Sequence, residues 1–234
     1  MLIIIEGIDC CGKGTIVETW TSMLIKEGKQ VFDLRTFEKD EKRLPEYEEI
    51  QNFDVLLSAE PTFAWVGEAI REEIIRSNAQ KYSALSTAHA YALDREILHR
   101  RVLIPARQGG KIILQERSVA ASMVYQPIQG NSVSLEEVLA IPGNKLACEN
   151  PPNYLVIPKL KPETAIQRLA ERKGKQDDAI FEKLDFLRKS AEEFYSDWFK
   201  KFWKDLGTKV VYLNTEGTLE ETKRQAKKFL EKVL

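Results

Sequence analysis

The sequence predicts an α/β protein in which helices cover both faces of a parallel sheet. Short apolar runs such as Leu2–Ile5 alternate along the chain with longer amphipathic segments such as 15–26. Strands that are apolar at consecutive positions are typical of buried parallel sheets, and strand–helix alternation is typical of α/β folds. The 234 residues are enough for one full-sized core, so we expect a single domain over residues 1–234.

The segments with strand-like composition are short and bounded by glycine, proline or charged residues. They lie at residues 2–5, 31–37, 54–59, 111–115, 153–157 and 209–213. We predict from this pattern a five-stranded parallel sheet.

The helices are predicted from apolar residues that recur every three or four positions. They lie at residues 15–26, 66–75, 84–108, 118–125, 162–172, 180–206 and 219–234. Gly28 and Gly109 follow the first and third of these, where glycine commonly ends a helix. The aromatic side chains of 180–206 are interpreted as core or as a dimer surface. Residues 38–53 are charged and contain a proline, which predicts an insertion or mobile loop.

The composition argues against several classes of protein. Lys and Arg number 35 and Asp and Glu number 36, so a nucleic-acid binder that relies on bulk positive charge is not expected. The cysteines, Cys10, Cys11 and Cys148, fit neither a disulfide framework nor a metal site. No signal peptide or membrane span is expected, because Glu6 interrupts the first apolar run. We therefore predict a cytoplasmic protein.

A glycine-rich loop between the first strand and the first helix carries the strongest functional signal. It contains G-x-x-x-x-G-K, the phosphate-binding pattern in which backbone N–H groups and a lysine hold the phosphates of ATP. Gly14 follows the lysine, where a Ser or Thr hydroxyl usually binds Mg²⁺, and Gly-Thr at this place resembles adenylate kinases. The predicted ATP-binding residues are Gly7, Ile8, Asp9, Cys10, Cys11, Gly12, Lys13, Gly14 and Thr15.

Five segments, in this order, resemble the thymidylate kinase family along almost the whole chain. They are GIDCCGKGT from Gly7, EPTFAWVGEAIREEI from Glu60, YALDRE from Tyr91, ERSVAASMVYQ from Glu116 and, more weakly, RLAERKGKQDDAIFE from Arg168. The resemblance implies a P-loop kinase fold with a small mobile lid near residues 172–178, and a homodimer. It also implies transfer of a phosphoryl group from ATP, with Mg²⁺, to dTMP.

The resemblance assigns roles to individual residues. The catalytic residues it implies are Lys13, Arg117, Arg172 and Asp9, and the residues near magnesium are Glu116 and, through water, Asp94. The acceptor-binding residues it implies are Asp9, Glu60, Pro61, Arg71, Tyr91, Arg95, Arg117, Ser122, Tyr125 and Gln126. From spacing alone, core packing would be the better explanation of Tyr91 and Arg95, and Arg172 could belong to a solvated helix end.

Two departures from the family pattern leave other functions open. Glu116-Arg117-Ser118 also resembles deoxynucleoside kinases, so another nucleoside or nucleoside monophosphate kinase is one alternative. Gly14, together with Thr62-Phe63 in place of the family's glycine pair, leaves a nucleotide-binding regulator without catalysis as a second. Residues 38–53 have no counterpart in the common family pattern.

Overall fold

A computed structural model describes residues 1–76, 80, 82–130, 133–171 and 183–234 of the chain. Its centre is a fully parallel six-stranded sheet in the order β2-β3-β4-β1-β5-β6. The strands are β1 Leu2–Ile5, β2 Val31–Asp33, β3 Val55–Ala59, β4 Ile112–Glu116, β5 Tyr154–Lys159 and β6 Lys209–Asn214. The α/β class and the parallel sheet are confirmed, but the prediction of five strands is wrong: each of the six segments with strand-like composition contains a strand, and the short β2 lies at the edge.

Helices connect successive strands. They are α1 Lys13–Lys26, α2 Leu34–Glu41, α3 Tyr47–Ile50, α4 Trp65–Ala69, α5 Ala84–Leu98, α6 Ile104–Gln108, α7 Val119–Gly130, α8 Leu135–Ala140, α9 Pro142–Glu149, α10 Pro162–Glu171, α11 Leu184–Phe194, α12 Asp197–Asp205 and α13 Leu219–Val233. Turns of π-helix at Ile70–Ile74 and His99–Leu103 extend α4 and join α5 to α6. In the part of the chain described, no helix is both long and apolar enough to cross a bilayer.

Two apolar clusters cover the two faces of the sheet. Side chains of β1 alternate between them: Leu2 and Ile4 belong to one cluster, and Ile3 and Ile5 to the other. All four are at most 2% exposed, as the consecutive apolar run predicts for a central strand with helices on both sides. The sheet thereby fixes the position of the loop that follows β1.

Three predicted elements differ in the structure. The segment 31–37 is a strand only to Asp33, whose carboxylate accepts the Arg35 N–H at 3.0 Å and starts α2. The described part of 180–206 forms two helices, because Ser196 caps a new helix by accepting the Phe199 N–H at 3.3 Å. Residues 38–53 contain α3 and the end of α2, so the described insertion is largely helical.

The carboxyl ends of β1, β3 and β4 lie level with one another. Glu116, the last residue of β4, is in register with Ile5 on one side and Ala59 on the other. The residues that follow these strands therefore emerge at one edge of the sheet, where ligands bind in parallel α/β proteins. Most of the residues predicted to bind nucleotides lie at this edge.

Candidate active site

The loop between β1 and α1 wraps around the side chain of its own lysine. Lys13 Nζ donates hydrogen bonds to the carbonyl oxygens of Gly7 and Ile8, at 2.9 and 2.8 Å. Gly7 and Gly12 have φ angles of 143° and 98°, which side-chain-bearing residues rarely adopt. This left-handed backbone is what allows a short loop to turn its amide groups toward a bound anion.

The two adjacent cysteines of the loop have different surroundings. Cys11 is fully buried in an apolar cluster, and burial raises the pKa of its thiol. A buried thiol with a raised pKa is a poor nucleophile, which favours packing over redox chemistry for Cys11. Cys10 is partly buried and lines the cleft described next.

A cleft of about 720 Å³ lies at the carboxyl edge of the sheet. Most of the predicted site residues line it, and they come from the loop, from β3, from α5, from the end of β4 and from α7. They are Asp9, Cys10, Cys11, Gly12, Lys13, Gly14, Thr15, Glu60, Pro61, Arg71, Tyr91, Arg95, Glu116, Arg117, Ser122, Tyr125 and Gln126. Gly7, Ile8 and Asp94 are not part of the lining, and Arg172 with the predicted lid at 172–178 lies outside the described residues.

Arg117 lies at the centre of the lining, directly after β4. Its guanidinium pairs with Asp9, lies 3.6 Å from Glu6 Oε1 and donates to the Tyr125 hydroxyl at 3.3 Å. Burial lowers the pKa of Arg117, but Asp9, Tyr125 and Glu6 together raise it well above its ordinary value. The side chain therefore stays charged, and the Asp9 carboxylate in the phosphate loop is balanced by a cation.

Arg95 reaches the cleft through a buried network. Its Nε donates to Glu60 Oε2 at 2.7 Å, and both side chains are at most 2% exposed. Its other nitrogens donate to Ser122 Oγ at 3.2 Å and to Asn144 Oδ1. Burial raises the pKa of Glu60 to about 7, although Arg95 opposes that shift. The network fixes Arg95 in one orientation on the same wall as Tyr91, one helical turn away.

The turn that follows β3 is held in place from α5. The Glu60–Pro61 peptide bond is cis. The Thr62 N–H and hydroxyl donate to the two carboxylate oxygens of Asp94 at 2.8 and 2.6 Å. Asp94 therefore supports the turn in this structure, and its predicted role near magnesium stays a prediction. Arg71 donates to the carbonyl oxygens of Pro61 and Thr62 from the adjoining π-helical turn.

The helix α2 supplies lining residues that the sequence analysis did not predict. Arg35 donates to Glu116 Oε1 at 3.0 Å and forms a two-bond pair with Asp33. Lys39 lies one turn further along the helix, with its Nζ 4.3 Å from the centre of the Phe63 ring. The only local sequence signal was the spacing of Arg35 and Lys39, which puts both on one face of a helix once Asp33 is recognised as its cap.

Comparisons with known proteins agree with the segments quoted above. The family model described as "Thymidylate kinase" matches residues 41–226. A thymidylate kinase of Caldicellulosiruptor saccharolyticus is 31% identical over 195 residues, which cover 82% of this chain and 88% of that protein. A probable thymidylate kinase of Archaeoglobus fulgidus is 27% identical over 234 residues, which cover 100% of this chain and 96% of that protein. This chain belongs to the thymidylate kinase family.

Proposed function

We propose that the protein transfers the γ-phosphoryl group of ATP to dTMP, giving ADP and dTDP. One observation carries the proposal: a single cleft is lined by the phosphate loop, by Tyr91 and Arg95, and by Arg117, which pairs with Asp9 of the loop. A donor phosphate chain and an acceptor nucleotide can therefore meet at one guanidinium. Membership of the thymidylate kinase family supports this choice of donor and acceptor.

The reaction needs positioning and charge neutralisation more than covalent chemistry. An oxygen of the acceptor phosphate, already ionised near neutral pH, attacks the γ-phosphorus as the bond to the β–γ bridging oxygen breaks. In the proposal Lys13 turns from its loop carbonyls to the β- and γ-phosphates, and Arg117 lies between the γ-phosphate and the acceptor. Asp9 is proposed to contact the acceptor sugar while it orients Arg117.

The donor groups of the cleft fit a magnesium ion held mainly by substrate and water. Mg²⁺ commonly takes one or two protein carboxylates and fills its other positions with phosphate oxygens and waters. Glu116 lines the cleft at the end of β4 and offers such a carboxylate, which Arg35 already contacts. Within the described residues no three His, Cys, Asp or Glu side chains are grouped as a metal site. When bound, magnesium would neutralise phosphate charge, and Glu116 would hold it.

Several further expectations belong to the proposal. Arg172 is proposed to bring a cation over the phosphates from the lid at 172–178. Tyr91 is proposed to stack on the thymine, and Arg95, Ser122 and Gln126 to lie around the base and sugar. We further infer a cytoplasmic homodimer that acts on small nucleotides and does not bind nucleic acid.

A substrate panel tests the proposed reaction. Purified protein with ATP and Mg²⁺ should convert dTMP faster than thymidine, dUMP or AMP. The matched variant Lys13→Met should lose transfer by a factor of about 100 or more, since a charge that stabilises the transition state is removed, while its thermal unfolding stays close to that of the wild type. Preference for an unphosphorylated nucleoside, or near-normal turnover by Lys13→Met, would contradict the proposal.

A further inference from the structure

The ring of Phe63 brings two cations together at the wall of the cleft. Lys39 Nζ lies 4.3 Å from the ring centre, and the Arg71 guanidinium carbon lies 3.7 Å from it. All three side chains line the cleft. The contact joins the helix α2 to the turn after β3.

Neither cation at this place forms an ion pair with a carboxylate among the described residues, although Asp94 and Glu38 interact electrostatically with Arg71. Among the described residues, Arg71 forms no salt bridge, and its hydrogen bonds go to the carbonyl oxygens of Pro61 and Thr62. Lys39 also forms no hydrogen bond or salt bridge with any of the described residues. Its ammonium contacts the Phe63 ring. Two like charges held near one ring repel each other, so an anion bound beside them at the wall of the cleft would be stabilised.

Three guanidinium groups of the cleft differ in this respect. Arg117 is paired with Asp9, and Arg95 is paired with Glu60. Arg35 is paired with both Asp33 and Glu116. A ligand anion must compete with a carboxylate at each of these guanidinium groups. At Lys39 it need not compete, because no carboxylate of the described residues is paired with the ammonium.

The topology separates this position from the phosphate loop. The loop follows β1 and the turn with Phe63 follows β3, and β4 lies between the two strands. Neighbouring strands are about 4.8 Å apart, so the two strand ends are about 10 Å apart. An anion held near Lys39 and Arg71 is therefore not the one cradled by the loop. It is a second anion on the acceptor side.

We propose that Lys39, together with Arg71 and across the ring of Phe63, binds the phosphate of the acceptor nucleoside monophosphate. This inference rests on the proposed function, because it assigns one more residue to the acceptor site of the same reaction. Lys39 contacts the phosphate directly, and Phe63 keeps the ammonium and the guanidinium at the wall of the cleft. The helix α2 thereby contributes to acceptor binding, although its end, with Lys39, lies in the segment 38–53 that has no counterpart in the common family pattern.

Calorimetric titrations with dTMP and with thymidine test the assignment. Lys39→Met should weaken dTMP binding about tenfold or more, since a hydrogen bond between charged groups is worth roughly 1.5–3 kcal/mol. It should leave thymidine and ATP binding unchanged, because neither places a phosphate at this position. Lys39→Arg should keep most of the dTMP affinity. The matched control is Lys42→Met, which removes an exposed lysine of the same segment that pairs with Glu68.

The outcomes separate this inference from the proposed function. A loss that is equal for dTMP and thymidine, or no loss with either, overturns the role of Lys39 while the kinase assignment stands. If wild-type protein does not bind dTMP but binds dUMP or AMP, the choice of acceptor is wrong, and the comparison is made with that monophosphate and its nucleoside. If the wild type binds no nucleoside monophosphate, both proposals are overturned.

Discussion

The buried carboxylate of Glu38 should make the stability of the protein depend on pH. Glu38 is 1% exposed and lies on α2, on the side that contacts the turn after β3. Its Oε2 accepts the Phe63 N–H at 2.8 Å, and its Oε1 has no hydrogen-bond partner within the described residues. Burial raises its pKa from 4.5 to about 7, the Phe63 N–H and Arg71 oppose the shift, and Asp94 and Asp33 add to it.

The size of the effect follows from the two pKa values. The difference between 4.5 and about 7 corresponds to roughly 3 kcal/mol at 1.36 kcal/mol per unit. The folded protein holds the proton more tightly than the unfolded chain, so the contribution of Glu38 to the free energy of unfolding falls as pH rises from about 4.5 to about 7. Above that range Glu38 is ionised in both states, and its unfavourable contribution is constant.

The substitution Glu38→Gln removes this titration while keeping an oxygen that can accept the Phe63 N–H. The variant should gain stability relative to the wild type as pH rises. Its advantage should be roughly 2 to 3 kcal/mol larger at about pH 8 than at about pH 5. The quantity to measure is how much the difference in free energy of unfolding between Glu38→Gln and the wild type changes with pH. The extra N–H₂ group of glutamine also alters this difference, but by an amount that does not depend on pH.

Urea unfolding of the variant and the wild type at the two pH values measures this difference in free energy of unfolding directly. The control is Glu41→Gln, which changes an exposed glutamate at the end of the same helix. Its stability relative to the wild type should change little between the two pH values. If the stability of Glu38→Gln relative to the wild type is the same at both pH values, Glu38 is not a buried acid with a raised pKa, and the reasoning fails.

Three further predictions concern the packing and the acceptor wall. Gly143→Ala should lower the free energy of unfolding by about 1–3 kcal/mol or more, because its Cβ would lie 1.8 Å from the Ala92 carbonyl oxygen and force α9 away from α5. An unchanged urea midpoint would contradict that close approach. Glu60→Ala should cost about 3–5 kcal/mol by leaving Arg95 Nε buried without its partner, and a loss below about 1 kcal/mol would mean that the pair is not desolvated. Tyr91→Ala should weaken dTMP binding more than ATP binding in calorimetry, and an equal loss would remove it from the acceptor site.

The phosphate loop could be predicted from sequence because its chemistry is local. The strand Leu2–Ile5, the glycines and Lys13 are consecutive, and each is needed for a short backbone turn that cradles phosphate. The ends of the other strands could be placed in the same way, since parallel strands expose their carboxyl ends at one edge. The prediction of a strand over 31–37 was partly wrong for an equally local reason: its apolar and β-branched residues fit a strand, but the cap formed by Asp33 starts a helix instead.

The partners of the site residues could not be predicted, because they come from distant parts of the chain. Asn144, which receives a hydrogen bond from Arg95, lies 49 residues further on. Glu38, which accepts the Phe63 N–H, lies 25 residues earlier. Only the packing of α9 and α2 brings these groups to Arg95 and Phe63, and no short spacing in the sequence encodes it. The prediction of one long helix over 180–206 was also wrong. The apolar residues keep a helical spacing on both sides of Ser196, so the start of a new helix there was not recognised.

The pairing of charges explains why Lys39 is a better candidate for the acceptor phosphate than Arg35, although both come from α2. A phosphate that recruits Arg35 must replace Glu116 or one of the two bonds to Asp33, and the carboxylate it displaces would then face the incoming anion. A phosphate that recruits Lys39 displaces only the contact with the Phe63 ring, which is worth about 0.5–2 kcal/mol. Arg35 is thus better suited to hold Glu116 in place at the end of β4, and the unpaired ammonium one turn later to bind the ligand.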